Sequence, residues 1–296
     1  MQKICVIGPG RAGGAFAIAL SKKGAKVSSL VARSPESVRL VADAIDPRPE
    51  VFSAEEIRSA SADVYLITVN DERIQSVANA LAGSIDPEGK TVLHVSGSRS
   101  SSVLSRLSAA GARTGSLHPL VSISNPQIGS RRFEGAYFCV EGDPEGVAVA
   151  RELAETLGGI PFEIHTEKKP LYHASAVVAC GHLVALIDTA VEALTLCGLS
   201  GADAMRVLLP LIASTVDNLK TQTPPEALTG TFARADVETF EAHLSALAGN
   251  DLDEFLEIYL LLGLRSLKLA EEHGADPRAV AEIRSGIESI TKRSGG

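Results

Sequence analysis

Positive charge is in short supply. Lys and Arg number 28 against 36 Asp and Glu, a formal charge of −8, and no basic run offsets it. That excludes a nucleic-acid partner, whose phosphates reward clustered Lys and Arg. Cysteine is scarce and scattered: Cys5, Cys139, Cys180 and Cys197 form no C-x-x-C pair. Each sits among apolar neighbours, so four buried free thiols are expected, with no disulfide role. No His–Cys–carboxylate cluster has ligand spacing, and no metal is expected. Long apolar runs are also missing. The best stretch, 174–187, carries Ser175, Gly181 and His182 and falls short of the roughly 20 apolar residues a membrane span needs. Near the start only Ile4–Ile7 are apolar before Gly8-Pro9-Gly10, which is not a secretory leader. There is no G-x-S-x-G hydrolase elbow. What remains, 45% hydrophobic and 22% charged over 296 residues, reads as a cytoplasmic globular protein large enough for two domains.

Up to residue 165 short apolar runs alternate with helical periodicity. Strands are expected over 3–7, 26–32, 63–69, 91–95, 113–117, 136–141 and 161–164. Helices are expected over 13–23, 34–44, 73–82, 101–110 and 144–157, with Ser34 capping the second. Alternation of this kind implies an α/β Rossmann fold, a doubly wound parallel sheet of seven or eight strands. From 166 to 296 no strand pattern recurs, and an all-α C-terminal domain is expected, with helices over 168–197, 202–220, 237–248, 251–273 and 277–291. Only the tail from Arg293 reads as disordered. The polar interruption 221–236 is long enough to be functional.

The sequence Val6-Ile7-Gly8-Pro9-Gly10-Arg11-Ala12-Gly13 carries G-x-G-x-x-G between an expected strand and an expected helix. In that context Gly8 permits the turn, Gly10 lets a pyrophosphate approach, and Gly13 packs helix on strand. Arg11 and Ala12 lie in the loop before the helix whose N–H groups would face the phosphates, and Arg11 could assist Arg33 there. The second strand ends Val31-Ala32-Arg33-Ser34, with no carboxylate to hold a ribose hydroxyl. Arg33 and Ser34 suit a 2′-phosphate instead, which favours NADP over NAD. Val69-Asn70-Asp71 and Ser96-Gly97 follow later strands and belong to the same crevice, where ligands of such sheets bind.

Further segments carry a family resemblance: Gly115-Ser116-Leu117-His118-Pro119-Leu120, Tyr172-His173-Ala174-Ser175-Ala176, Ala227-Leu228-Thr229-Gly230, Arg234-Ala235-Asp236 and His243-Leu244. With these the chain resembles the Rossmann-like proteins with a C-terminal DUF2520 domain, similar in fold to pyrroline-5-carboxylate reductase, ketopantoate reductase and 6-phosphogluconate dehydrogenase. The resemblance implies a nicotinamide-dependent oxidoreductase, usually dimeric, without fixing a substrate, and the apolar stretches 177–196 and 255–267 are expected to drive dimerisation through the helical half. The chain departs from the family pattern at Cys180-Gly181-His182, where an Asn is expected. It departs again at Gly230-Thr231 and Ala235, where Gly-Pro and Gly are expected.

Hydride transfer needs a group that protonates or polarises the acceptor. Lys169 and His173 share a helix face at i, i+4, and His118 sits at the crevice. These three are the candidate proton donors. Asn218, Thr229, Gly230 and Arg234 are candidate substrate contacts, Arg234 as a bidentate carboxylate clamp. The expected activity is NADPH-dependent reduction of a small anionic carbonyl or imine, such as a ketopantoate-type keto acid. The alternative is a non-catalytic NADP-binding or regulatory homodimer.

Overall fold

Eight strands form in the first part of the chain because short Val/Ile/Leu-rich runs are each ended by Gly or polar turns. They are β1 (Lys3–Ile7), β2 (Lys26–Ala32), β3 (Glu50–Ser53), β4 (Val64–Ile67), β5 (Thr91–His94), β6 (Arg113–Pro119), β7 (Tyr137–Gly142) and β8 (Ile160–Glu163). Between and after them come α1 (Arg11–Lys22), α2 (Arg39–Ala42), α3 (Asp71–Ala82), α4 (Ser105–Ala109), α5 (Pro126–Gly129) and α6 (Pro144–Thr156). The remaining helices are α7 (Lys169–Val177), α8 (Leu183–Leu196), α9 (Gly201–Asn218), α10 (Pro224–Ala227), α11 (Val237–Ala248), α12 (Asp253–Glu272) and α13 (Pro277–Ser294). These elements come from a computed structural model that describes residues 2–248 and 252–294. The expected helix start at Asp251 and the last two residues of the tail lie outside the described residues, while α13 runs on to Ser294.

The sheet order is β3-β2-β1-β4-β5-β6-β7-β8. Every pairing is parallel except β6 with β7. This confirms the doubly wound fold and corrects two details. β7 runs antiparallel because the chain between β6 and β7 contains only the single-turn α5, which packs on α1 rather than crossing the sheet. β3 carries no strand signal in the sequence because it is a four-residue edge strand with no fully buried side chain. The expected helices 34–44 and 101–110 also shrink to a 3₁₀ turn followed by one short α segment each.

Strand side chains alternate between two cores. Ile4, Val6, Leu30, Leu93, Leu117 and Val140 pack beneath α1 and α6. Cys5, Ile7, Val31, Tyr65, Ile67 and Val92 pack beneath α3 and α4. This is period two read directly from the strand sequences.

The chain divides into two compact units, 1–182 and 183–296. The sheet unit therefore keeps α7 and the π-helical turn Val178–His182 that follows it. The second unit is helical around its own core of Phe240, Leu260, Leu267, Val280, Ile283 and Ile287. Its segment 228–236 holds Ala235 at φ 48°, a left-handed conformation in which glycine is favoured. This is the position where the resemblance leads to an expected Gly.

Two expectations about apolar residues need correction. Cys5 and Cys139 are buried, but Cys180 and Cys197 are exposed, one on the π-helical turn and the other just past α8. The stretch 174–187 is also part of a longer element. The turn at Gly181 does not break the helix, which spans Thr166–Leu196, 31 residues, and its most apolar 18-residue window has a mean hydropathy of 1.8. By length and composition alone that helix could cross a membrane.

Candidate active site

The β1–α1 turn is built by close packing. Gly8 has φ +85°, and a Cβ there would lie 2.5 Å from Val69 Cγ1. A Cβ at Gly13 would meet the Thr68 hydroxyl and lie 2.7 Å from the Gly8 carbonyl. At Gly10 the nearest atom to such a Cβ is 3.9 Å away. Two glycines are thus fixed by protein packing and the third opens onto free space. Thr68 fastens the turn by donating its hydroxyl to the carbonyl of Gly8 at 2.8 Å. No side chain caps α1, so its first N–H groups are available to an anion.

This turn forms one end of a cleft of about 920 Å³. Gly8, Gly10, Arg11, Ala12, Arg33, Ser34, Val69, Asn70, Asp71, Ser96 and Gly97 all line it, whereas Gly13 lies behind the wall. Arg73, also in the lining, was not anticipated. Arg11, Arg33 and Arg73 have no carboxylate partner among the described residues. Three unpaired guanidinium groups around a glycine cradle fit a pyrophosphate and a 2′-phosphate. Ser34 does not cap its helix. Its hydroxyl donates to Glu36 Oε2 at 2.8 Å.

The opposite end of the cleft is built from strand ends. Register pairs His94 with Ser116, Ser116 with Glu141, and His118 with Cys139. All five side chains therefore share one face. α7 covers them with Lys169, Tyr172 and His173. His118 Nδ1 is 2.6 Å from the Tyr172 hydroxyl. A Cβ at Gly97 would lie 2.5 Å from His173 Nδ1 and 2.8 Å from His118 Nε2. Both histidines line the cleft. The buried Nδ1 of His173 has no hydrogen-bond partner among the described residues.

Lys169 is placed differently from expectation. It is fully buried and does not reach the cleft. Its ammonium donates to Ser116 Oγ and lies 3.7 Å from Glu141 Oε1, itself fully buried. Glu141 also accepts from the backbone N–H and hydroxyl of Ser101, at 2.9 and 2.7 Å. Burial lowers the Lys169 pKa, partly opposed by Cys139 and Glu141. Burial alone would raise the Glu141 carboxyl, but the donors Ser116 and Ser101 and the Lys169 charge hold it below the ordinary range. The pair thus lies buried beneath the site.

Glu141, Ser116, Ser101, His94 and Tyr172 were not assigned from sequence. The available signal was a Glu inside the apolar run Phe138–Glu141, with Tyr172 three residues after Lys169. Asn218, Thr229, Gly230 and Arg234 belong to the second unit: Asn218 ends α9, and the other three follow α10. His243 there bonds Tyr259 at 2.8 Å.

Burial, followed by the charge of Lys169, lowers both His94 and His118 to a pKa of about 4. In the unfolded chain an imidazole takes its proton near 6.5. Between those values the unfolded state binds more protons, so stability falls as the pH falls from about 6.5 to 4. For fully buried His94 the expected loss is roughly 3 kcal/mol. Urea unfolding midpoints at pH 7 and pH 4.5 check it, and equal midpoints would contradict it.

Residues 3–115 match the family model described as NADP oxidoreductase coenzyme F420-dependent. Residues 136–266 match that of a domain of unknown function, DUF2520. No curated protein matches the sequence significantly. Among solved structures, protein TM1727 from Thermotoga maritima is 25% identical, with TM-score 0.72 over 91% of this chain and 99% of that one. BF3122 from Bacteroides fragilis, assigned as an NADP oxidoreductase, is 23% identical, with TM-score 0.70 over 90% and 98%. Pyrroline carboxylate reductase from Plasmodium falciparum, solved with NADP bound, is 14% identical, with TM-score 0.56 over 91% and 98%. The chain is thus similar over residues 3–115 to NADP oxidoreductases and over residues 136–266 to DUF2520 domains, and it shares its fold with the solved structures above.

Proposed function

We propose that the protein is an NADPH-dependent reductase of a small anionic carbonyl or imine compound. The observation that carries this is one cleft with two ends. A glycine cradle ringed by unpaired Arg11, Arg33 and Arg73 stands at one end, and the ring nitrogens of His118 and His173 converge over Gly97 at the other. Bound NADPH supplies a hydride. The chain binds the cofactor's phosphates through the α1 N-terminus and Arg33, and it offers His118 and His173 to the heteroatom of the acceptor. This reading gives the donor role to His118 and His173, and Lys169, whose ammonium is buried against Glu141, supports the face beneath them. Asn218, Thr229, Gly230 and Arg234 are proposed as substrate contacts on their chemistry alone, with Arg234 suited to a carboxylate.

The test is oxidation of NADPH by the purified protein with a panel of 2-keto acids and cyclic imino acids. Turnover of at least one supports the reading. Binding of NADPH without turnover across the panel would favour a non-catalytic NADP-binding protein instead.

We further propose a cytoplasmic homodimer, assembled through the helical unit. Val184, Leu211 and Leu261 are 66, 63 and 71% exposed, more apolar surface than an isolated protein usually presents. A second copy covers such a surface most economically as a C2 dimer. In detergent-free buffer the expected mass is twice 30.9 kDa. A monomer at micromolar concentration would contradict the assignment.

A further inference from the structure

Two of the polar groups on the β6–β7 face are accounted for by the Lys169–Glu141 pair. The contact between His118 and Tyr172 is not, and it decides what His118 can present to a ligand. The two rings meet edge to face, 5.7 Å apart at 82°, with His118 Nδ1 2.6 Å from the phenolic oxygen. A hydrogen bond this short has one proton in it, and it belongs either to the phenol or to the imidazole.

Three facts assign that proton. First, the imidazole is neutral: burial, then the Lys169 charge and His173, hold its pKa at about 4. One ring nitrogen is therefore bare. Second, the phenol keeps its proton, because burial and the neighbouring Cys139 push its pKa upward. Third, the phenolic oxygen lies 2.6 Å from His118 Nδ1, and its other polar neighbour is the Cys139 thiol. A bare imidazole nitrogen is a strong acceptor and a thiol sulfur a weak one. The O–H accordingly goes to Nδ1, and the ring hydrogen is left on Nε2. Nε2 is the nitrogen at Gly97, 2.8 Å from where a Cβ would stand.

We propose that Tyr172 is a positioning residue that donates to His118 Nδ1 and so fixes the tautomer whose Nε2–H faces the cleft over Gly97. His118 then meets the substrate as a neutral donor to the oxygen or nitrogen of the C=O or C=N bond. A neutral imidazole can polarise a carbonyl in this way, and the tautomer is set by what the other nitrogen bonds. The absence of a side chain at Gly97 leaves the space the donor needs. The assignment to a substrate rests on the reductase reading, whereas the tautomer does not.

The experiment is a long-range ¹H–¹⁵N NMR spectrum of the full chain labelled with ¹⁵N-histidine at pH 7, with the His118 signals assigned from His118→Gln. The expected wild-type pattern is a protonated Nε2 and a bare Nδ1. In Tyr172→Phe the pattern is expected to move toward a mixture of tautomers. A wild-type spectrum with protonated Nδ1 and bare Nε2 overturns the proposal whether or not the variant folds. So does an unchanged His118 pattern in folded Tyr172→Phe. No cofactor or substrate enters this measurement. Failure of the wild-type protein to bind NADPH, with the expected tautomer in place, would count against the reductase reading alone.

Discussion

Replacing Lys169 with methionine is expected to cost about 3–5 kcal/mol of folding stability, because it leaves a buried carboxylate without its counter-charge. Glu141 is fully buried and held ionised by Ser101, Ser116 and Lys169. Methionine fills most of the lysine's volume, so the loss reports the charge rather than a cavity. Adding Glu141→Gln removes the orphaned charge while keeping an oxygen acceptor for the Ser101 N–H. The double variant is therefore expected to recover a large part of the loss, a coupling that a double-mutant cycle measures. Urea unfolding at pH 7 of the wild type, both single variants and the double variant checks this. Additive losses, or a Lys169→Met loss under about 1 kcal/mol, would mean that the pair is energetically independent or solvated.

The second large effect concerns turnover. Once a substrate is identified, His118→Ala is expected to lower kcat by about 10²–10³-fold, the usual consequence of removing one donor aimed at a developing charge. NADPH affinity should change little, because the glycine cradle and Arg33 do not contact His118. The split between kcat and the cofactor Kd distinguishes a donor from a general disturbance of the cleft. Equal losses in both would place His118 among the cofactor contacts, and an unaltered kcat would remove it from the chemistry. His173→Ala, measured alongside, shows how the two nitrogens over Gly97 share the task.

What could be read from the residues follows the physics of local order. β1 and β2 were legible to the residue because each is a short apolar run ended by glycine or a polar turn. The cradle was legible because G-x-G-x-x-G needs only its flanking strand and helix, and both were visible. β3 was not, since Glu50-Val51-Phe52-Ser53 has two apolar residues and an edge position. The direction of β7 depends on what the preceding connection packs against, which no local pattern records. The same holds at the site. His118 and His173 each carried a signal in their own segments. The burial of Lys169 was not legible because its partner Glu141 lies on a distant strand, and only the β6–β7 register brings Ser116 and Glu141 under it. Tyr172 stayed in the background for the same reason: its significance depends on a contact with a residue 54 positions away.

The claim on which the rest depends is that the cleft between Gly8 and Gly97 holds NADP(H). A thermal-shift titration with NADPH and NADH in parallel, on the wild type and on Arg33→Ala, tests it most directly. A ligand that binds only the folded state raises apparent stability, by about 2.7 kcal/mol at a hundredfold excess over Kd. The expected result is a shift with NADPH well above that with NADH in the wild type, and loss of the difference in Arg33→Ala. No shift with either nucleotide would contradict the account.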